Sequence, residues 1–361
     1  MTDLLYGEAE EDLRASVRSL LAARSDPAAA ASAGREEAGD PYDPALWRAL
    51  AGGAGAAGLL VPEEYGGQGA GPREAAVVLE ELGRTVTPAP FLTSSVVATT
   101  VLLALDPDRR RPVGRLLEDL AAGERTAVLA LPLSTPPGAT TAPSQGRVTA
   151  VADAVAADVL LVPRADGLYA VDAAEARVEP CTPLDLTRPL AAVSAPDGTG
   201  TRIAAAGPAA DAVGRGLLAG AALLASEQLG LAEWCLEAAV AHTRERHQFN
   251  RPVGSFQALK HRMARLWLEL VSARAAARAA ADALATGAED APLAAAVAQA
   301  YCSPAAVRAA EECVQLHGGI GMTWEHPAHR YLKRAKADEI AFGTPGRHRQ
   351  EVARLTGLDA P

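Results

Sequence analysis

Five cations, Arg244, Arg246, Arg251, Lys260 and Arg262, fall within one stretch, RERHQFNRPVGSFQALKHR, of a 361-residue chain whose formal net charge is -10. An arginine beside a helix start suits a pyrophosphate, because a forked guanidinium and free backbone N–H groups both favour an anion. A basic helix face turned to water explains the cluster equally well if it stands alone. A second stretch, CVQLHGGIGMTWEHPAHRYLKR, places Gln315 three residues before Gly318-Gly319. Such glycines let a ligand approach the backbone, and the Gln315 amide can bind it, although a helix-ending glycine accounts for the pattern too. A third stretch, DEIAFGTPGRHRQ, breaks a helical run at a Gly-Thr-Pro-Gly turn with Phe342 just before the break.

The elements that must hold these residues are helices on both sides of a small sheet. Leu13, Val17, Leu20 and Leu21 share one helix face, Asp43-Pro44 reads as a cap and first turn, and a helix is predicted from Pro72 to Leu82. From Thr126 to Ala206 the pattern changes to short runs rich in Val and Leu, with a hairpin signal at Arg164-Ala165-Asp166-Gly167. Leu259, Met263, Leu266 and Leu270 then form one stripe, with Ser255 expected as the cap and Gly287 as the stop. Ser303-Pro304 is expected to restart a helix that Gly318-Gly319 ends, and the Ala-rich tracts at 273–299 read as tightly packed helices. The chain is thus predicted to be α+β, divided into 1–125 (helical), 126–206 (a small β-domain) and 207–361 (a helical bundle).

The charge argues against a nucleic-acid or anionic-membrane surface. Cys181, Cys235, Cys302 and Cys313 form no CxxC pair and no metal-type cluster, so neither a metal site nor a disulfide framework is expected. The N-terminal stretch lacks a basic region followed by an apolar one, and no run of about 18 uncharged apolar residues occurs, so a cytoplasmic protein is expected.

The two glycine- and arginine-bearing stretches together resemble the acyl-CoA dehydrogenases, whose C-terminal domain carries R-x-x-F-G...F-Q and then Q-x-x-G-G-x-G...E-x-P. Arg246, Phe249, Phe256, Gln257, Gln315, Gly318, Gly319, Gly321, Glu325 and Pro327 stand at matching positions, and LLVPEEYGGQG (Leu59–Gly69) followed by EELGR is similar to the N-terminal domain. The resemblance implies an N-terminal helical domain, a middle β-barrel, a C-terminal four-helix bundle, and FAD-dependent oxidation of an acyl-CoA thioester to the 2,3-enoyl form, a reaction of lipid metabolism. It also implies that Arg246, Phe249, Gln257, Gln315, Gly318, Gly319 and Thr344 bind FAD, mainly that of a neighbouring subunit.

The same resemblance exposes departures. Counting from Gln315 places Phe342 where many members carry the glutamate that takes the α-proton, and the other family location falls near Gly220 and Ala221; none of these is a carboxylate. Where the flavin-contact run T-E-P-x-x-G-S-D is expected, the chain reads LPLSTPPGATTAP, Leu131 to Pro143. The reading that joins these losses is the partner without a base in an α2β2 complex, resembling those of actinobacterial steroid side-chain catabolism. The alternatives are a self-sufficient homotetrameric flavoenzyme with a relocated base (Glu227, Asp338 or Glu339, each expected to face solvent) and a non-redox acyl-CoA-binding or structural protein. Under all three, Phe342 is expected to be a packing residue.

Overall fold

The computed structural model describes residues 4–24, 42–105, 111–139 and 146–358. Residues 140–143 of the Leu131–Pro143 stretch lie outside them. The N-terminal part consists of α1 (Glu8–Arg24), α2 (Pro44–Arg48), α3 (Pro72–Thr85), α4 (Phe91–Leu103) and α5 (Arg111–Ala122). Asp43 caps α2 as expected, its carboxylate accepting from the Ala45 N–H at 2.8 Å.

Among the described residues seven strands follow: β1 (Ala127–Leu129), β2 (Arg147–Ala152), β3 (Val159–Arg164), β4 (Gly167–Asp172), β5 (Arg177–Cys181), β6 (Leu190–Ser194) and β7 (Thr201–Ala205). They form two sheets, ordered β1-β3-β4-β7 and β2-β6-β5. The hairpin signal holds: Arg164 pairs with Gly167, leaving Ala165 and Asp166 as the loop. A core of Val128, Val151, Leu160, Val162, Val171 and Val193 lies between the sheets.

The C-terminal part is α6 (Ala206–Glu245), a small hairpin β8 (His247–Gln248) and β9 (Arg251–Pro252), α7 (Gln257–Ala285), α8 (Ala291–His317), α9 (Ala328–Asp338) and α10 (Pro345–Leu355). Helix α6 is long and apolar enough to cross a membrane, but 72% of its most apolar window is buried inside the molecule, where it is the central core helix.

Small residues let these helices approach closely. Ala222, Ala225, Ala273, Ala277, Ala280, Ala295, Ala298 and Ala305 form one buried cluster, as expected of the Ala-rich tracts. Gly83 on α3 and Gly230 on α6 meet reciprocally. A Cβ at Gly83 would lie 2.1 Å from the Glu227 carbonyl oxygen, and one at Gly230 would lie 1.9 Å from that of Glu80. Substituting either glycine would push the N-terminal helices off the bundle.

Two predicted boundaries are corrected. Helix α8 runs unbroken through Pro304, because its flanks, Cys302, Ser303, Ala305 and Ala306, are buried on all sides and packing outweighs the lost backbone hydrogen bond. Ser255 is not the cap of α7, which starts at Gln257; the intervening residues Val253–Ser255 turn as a short 3-10 helix.

Candidate functional site

The end of α6 delivers His242 and Arg246, the start of α7 delivers Leu259 and Arg262, and the end of α8 delivers Gln315, His317, Gly318 and Gly319. Together with Gln248, Val253, Leu316 and Ile320 they line one cavity of about 550 Å³. That volume suits a nucleotide-sized ligand.

The ligand-facing groups are left open. Arg262 is held by Glu312 at 2.7 Å, whereas Arg246 and Gln315 have no side-chain partner among the described residues. Helix α8 ends where Gly318 takes φ 64, ψ -137, a conformation reserved for glycine. A side chain at Gly318 or Gly319 would meet nothing within 4 Å in this chain, so the space above them is available to an incoming group.

The structure therefore brings Arg246, Gln315, Gly318 and Gly319 together. Phe249, Gln257 and Thr344 do not line this cavity. Phe249 is 85% exposed, at the tip of the β8–β9 hairpin, with Phe249 at φ 54 and Asn250 at φ 57. The turn is thus built on Phe249-Asn250, the two residues left between the paired Gln248 and Arg251. The Phe249 ring meets Phe256 edge-on, with centroids 6.1 Å apart, and Arg251 stacks over Phe256 at 3.9 Å. Thr344 caps α10, its Oγ1 accepting from the Arg347 N–H at 3.3 Å.

Two residues that sequence reasoning passed over complete the cavity wall: His242, four residues before Arg246, and His317, two residues after Gln315. Their rings lie 4.4 Å apart, and His326 stands 4.1 Å behind His317. The available signal was position: His317 lies inside the Gln315–Gly319 motif, and His242 stands one helical turn before Arg246.

The second region surrounds Phe342, which is buried as expected of a packing residue. Its N–H donates to the Leu133 carbonyl at 2.7 Å, and its carbonyl accepts from His348 Nε2 at 3.0 Å. The stretch aligned with the flavin-contact run thus packs on the Phe342 backbone. Gly220 and Phe342, the two places aligned with a family base, touch: a Cβ at Gly220 would lie 2.6 Å from Phe342 Cζ. The residual cavity, lined by Thr93, Val97, Leu131, Leu133, Leu217 and Phe342 among others, measures about 30 Å³. That is room for about one water.

The three acids named as substitute bases lie elsewhere. Glu227 and Asp338 are buried, contrary to the solvent-facing expectation, because α6 and α9 close over the loop at 182–189. Arg334 bonds both Asp185 and Glu227 and donates to Thr187 Oγ1 at 2.7 Å; Arg188 reaches Glu227 at 2.5 Å. Burial works against the Glu227 charge, but the two arginines outweigh it and hold its carboxyl below the usual range. Asp338 is pushed up to about 8, by burial first and then by Glu227, with Arg188 Nη1 only at 3.6 Å. Glu339 is half-buried and meets Lys336 at 3.4 Å. None of the three lines the Phe342 cavity.

Family models for the acyl-CoA dehydrogenase N-terminal and C-terminal domains match residues 7–124 and 210–356. The chain is 37% identical over 348 residues to acyl-CoA dehydrogenase IpdE2 of Mycolicibacterium smegmatis, covering 96% of this chain and 98% of that one. It is 35% identical to acyl-CoA dehydrogenase FadE34 of Mycobacterium tuberculosis, over 84% of this chain but 41% of that one. One chain in the crystal structure of the ChsE4-ChsE5 complex from Mycobacterium tuberculosis matches with TM-score 0.84 and 26% identity, covering 100% of this chain and 100% of that one. On the strength of both family domains and a full-length relative above 30% identity, the chain belongs to the acyl-CoA dehydrogenase family.

Proposed function

We propose that this chain is the subunit of a mixed α2β2 acyl-CoA dehydrogenase, working in the cytoplasm, that grips the adenosine-diphosphate half of a partner's FAD and supplies no base. The observation that carries the reading is the Phe342–Gly220 contact, which fills with an aromatic ring the place where the family's carboxylates converge. The cavity at Arg246 fits the diphosphate half, with an unpaired guanidinium, the Gln315 amide and open backbone over Gly318-Gly319. The chain's own acyl pocket fits neither a flavin ring nor a thioester, since about 30 Å³ remains.

When bound, FAD supplies the acceptor for the hydride that leaves the substrate β-carbon. This chain's share is binding: Arg246 neutralises diphosphate charge, Gln315 and the helix-end backbone orient it, and the partner provides the carboxylate that takes the α-proton. The match to FadE34 supports pairing, because more than half of that relative lies beyond the segment this chain matches. ChsE4-ChsE5 is itself a complex of two different chains.

The test is the flavin-to-chain ratio of the protein expressed alone and then with an adjacent-encoded dehydrogenase. A colourless or insoluble chain alone, and one FAD per heterodimer together, supports the reading. One FAD per chain in a homo-oligomer overturns it. A rival then gains weight from one observation: Asp153 is buried behind Thr93, which lines the Phe342 cavity, accepting from Thr93 Oγ1 at 2.6 Å and from Tyr42. Burial raises its carboxyl above the usual range. Loss of activity in Asp153→Asn, on a fully flavinated homo-oligomer, would establish that relocated base.

A further inference from the structure

The cavity wall holds ring nitrogens that meet no hydrogen-bond partner among the described residues. His317 Nδ1 lies 2.7 Å from the Cys313 carbonyl; a carbonyl only accepts, so Nδ1 carries the proton and Nε2 is the free site. Neither that Nε2 nor either ring nitrogen of His242 has a partner among the described residues, although His317 is only 7% exposed. These nitrogens are not sealed from solvent: they open onto the cavity, where water meets them until a ligand does. Both rings line the wall that also carries Arg246, Gln315 and the Gly318-Gly319 backbone.

We infer that His317, flanked by His242, is a further binding residue for the dinucleotide: its Nε2 takes a proton from solvent as the diphosphate arrives and then donates to it. This rests on the reading of the cavity as a diphosphate site. It adds a proton-linked contact to the arginine and amide contacts.

The surroundings select His317 for this role. The groups around the pair are Arg246 and Glu245 from the end of α6, Arg262 from α7, Cys313 from α8, and His326 just before α9, with His329 of α9 beside His326. His242 is lowered by burial and by the charges of His317 and Arg246. Burial, His317 and His242 lower His326 to about 4. Burial also works against charge on His317, but its contacts with Cys313 outweigh this and leave it above the ordinary histidine value. His317 is therefore the member of the stack that charges first. An arriving dianion raises it further, so affinity is greatest below the pKa of the empty site and falls as pH rises through that of the filled one.

The experiment titrates FAD into the flavin-stripped complex at pH 6, 7 and 8, with calorimetry in two buffers of different ionisation heat. The expected result is uptake of a fraction of a proton per FAD and an affinity about tenfold weaker at pH 8 than at pH 6, the equivalent of one pKa unit. His317→Gln, which keeps a polar tip but cannot titrate, loses both the proton uptake and the slope. Cys313→Ala keeps the carbonyl and removes the thiol, so the profile moves to lower pH. Affinity that is independent of pH in the wild type overturns the inference, as does uptake unchanged in both variants. Failure of the underlying reading looks different: FAD affinity that does not respond to Arg246→Ala at any pH.

Discussion

Phe342 occupies φ 52 while fully buried, an arrangement that costs a bulky side chain roughly 1–3 kcal/mol and persists only where the surroundings hold it. Leu133 and His348 hold its backbone, and Gly220 receives its ring. Phe342→Ala is expected to destabilise the chain by about 3–5 kcal/mol in denaturant titration, since the ring leaves a void that helices cannot close. Phe342→Glu puts a carboxylate into an apolar slot with no partner. It is expected to destabilise more and to yield no dehydrogenase activity or flavin retention in the chain alone; activity gained there would contradict the proposed role. Asp338 makes a separate prediction at this scale. Its folded pKa, about 8, stands above its unfolded value near 3.8, so its contribution to stability is full below pH 4 and is lost as pH rises through 8. Thermal melts should fall from pH 5 to 8 and level off above that, and Asp338→Asn should flatten the fall, melting about 2–4 °C above wild type at pH 9.

The β8–β9 hairpin concentrates strain at the level of the element. Two consecutive non-glycine residues, Phe249 and Asn250, hold positive φ to make a two-residue turn, and the large ring at its tip faces outward. A protein gains nothing alone from such an arrangement. Phe249→Gly should leave the isolated chain equal or up to about 1 kcal/mol more stable, by relieving the turn, yet weaken association with the flavin-bearing partner several-fold in a pull-down titration. Unchanged association would remove the hairpin from the interface. This element also shows where sequence reading stops. Asp43-Pro44, the 164–167 hairpin and the glycine end of α8 were legible because each rests on local chemistry: a cap, a two-residue turn, a φ that only glycine takes. Phe-Asn carries no turn signal, so the tip was not legible in the sequence. Pro304 and the burial of Glu227 and Asp338 were likewise hidden, because helices distant in sequence decide them. At the site, the motif residues Arg246, Gln315, Gly318 and Gly319 were legible and do converge, whereas the contact between Gly220 and Phe342 is purely tertiary.

At the scale of the whole molecule the question is what covers the outside of the bundle. Helix α7 presents Trp267 at 56% exposure and Leu268 at 59%, with Val271 one turn on, while its neighbour α8 presents Val297 and Tyr301. The other side of α7, Leu266, Leu270, Ala273 and Ala277, is the side packed in the core, so this helix is apolar on two faces. A helix on the surface of a monomer needs only one such face. The β8–β9 hairpin, with Phe249 exposed, leads directly into α7, and the Arg246 cavity opens beside its start. A second subunit that brings its flavin to Arg246 would therefore also meet the α7 face. Trp267→Glu with Val271→Glu changes only exposed positions, so the chain should keep its melting temperature to within about 1 kcal/mol of stability. The same double substitution places two charges in the middle of the contact, where burying an unpaired carboxylate is strongly unfavourable. Sedimentation of the co-expressed pair should then show separated subunits, and the flavin should be lost with the assembly. Intact assembly with full flavin would mean that α7 faces water after all, and that the partner reaches Arg246 from the Gly318-Gly319 side.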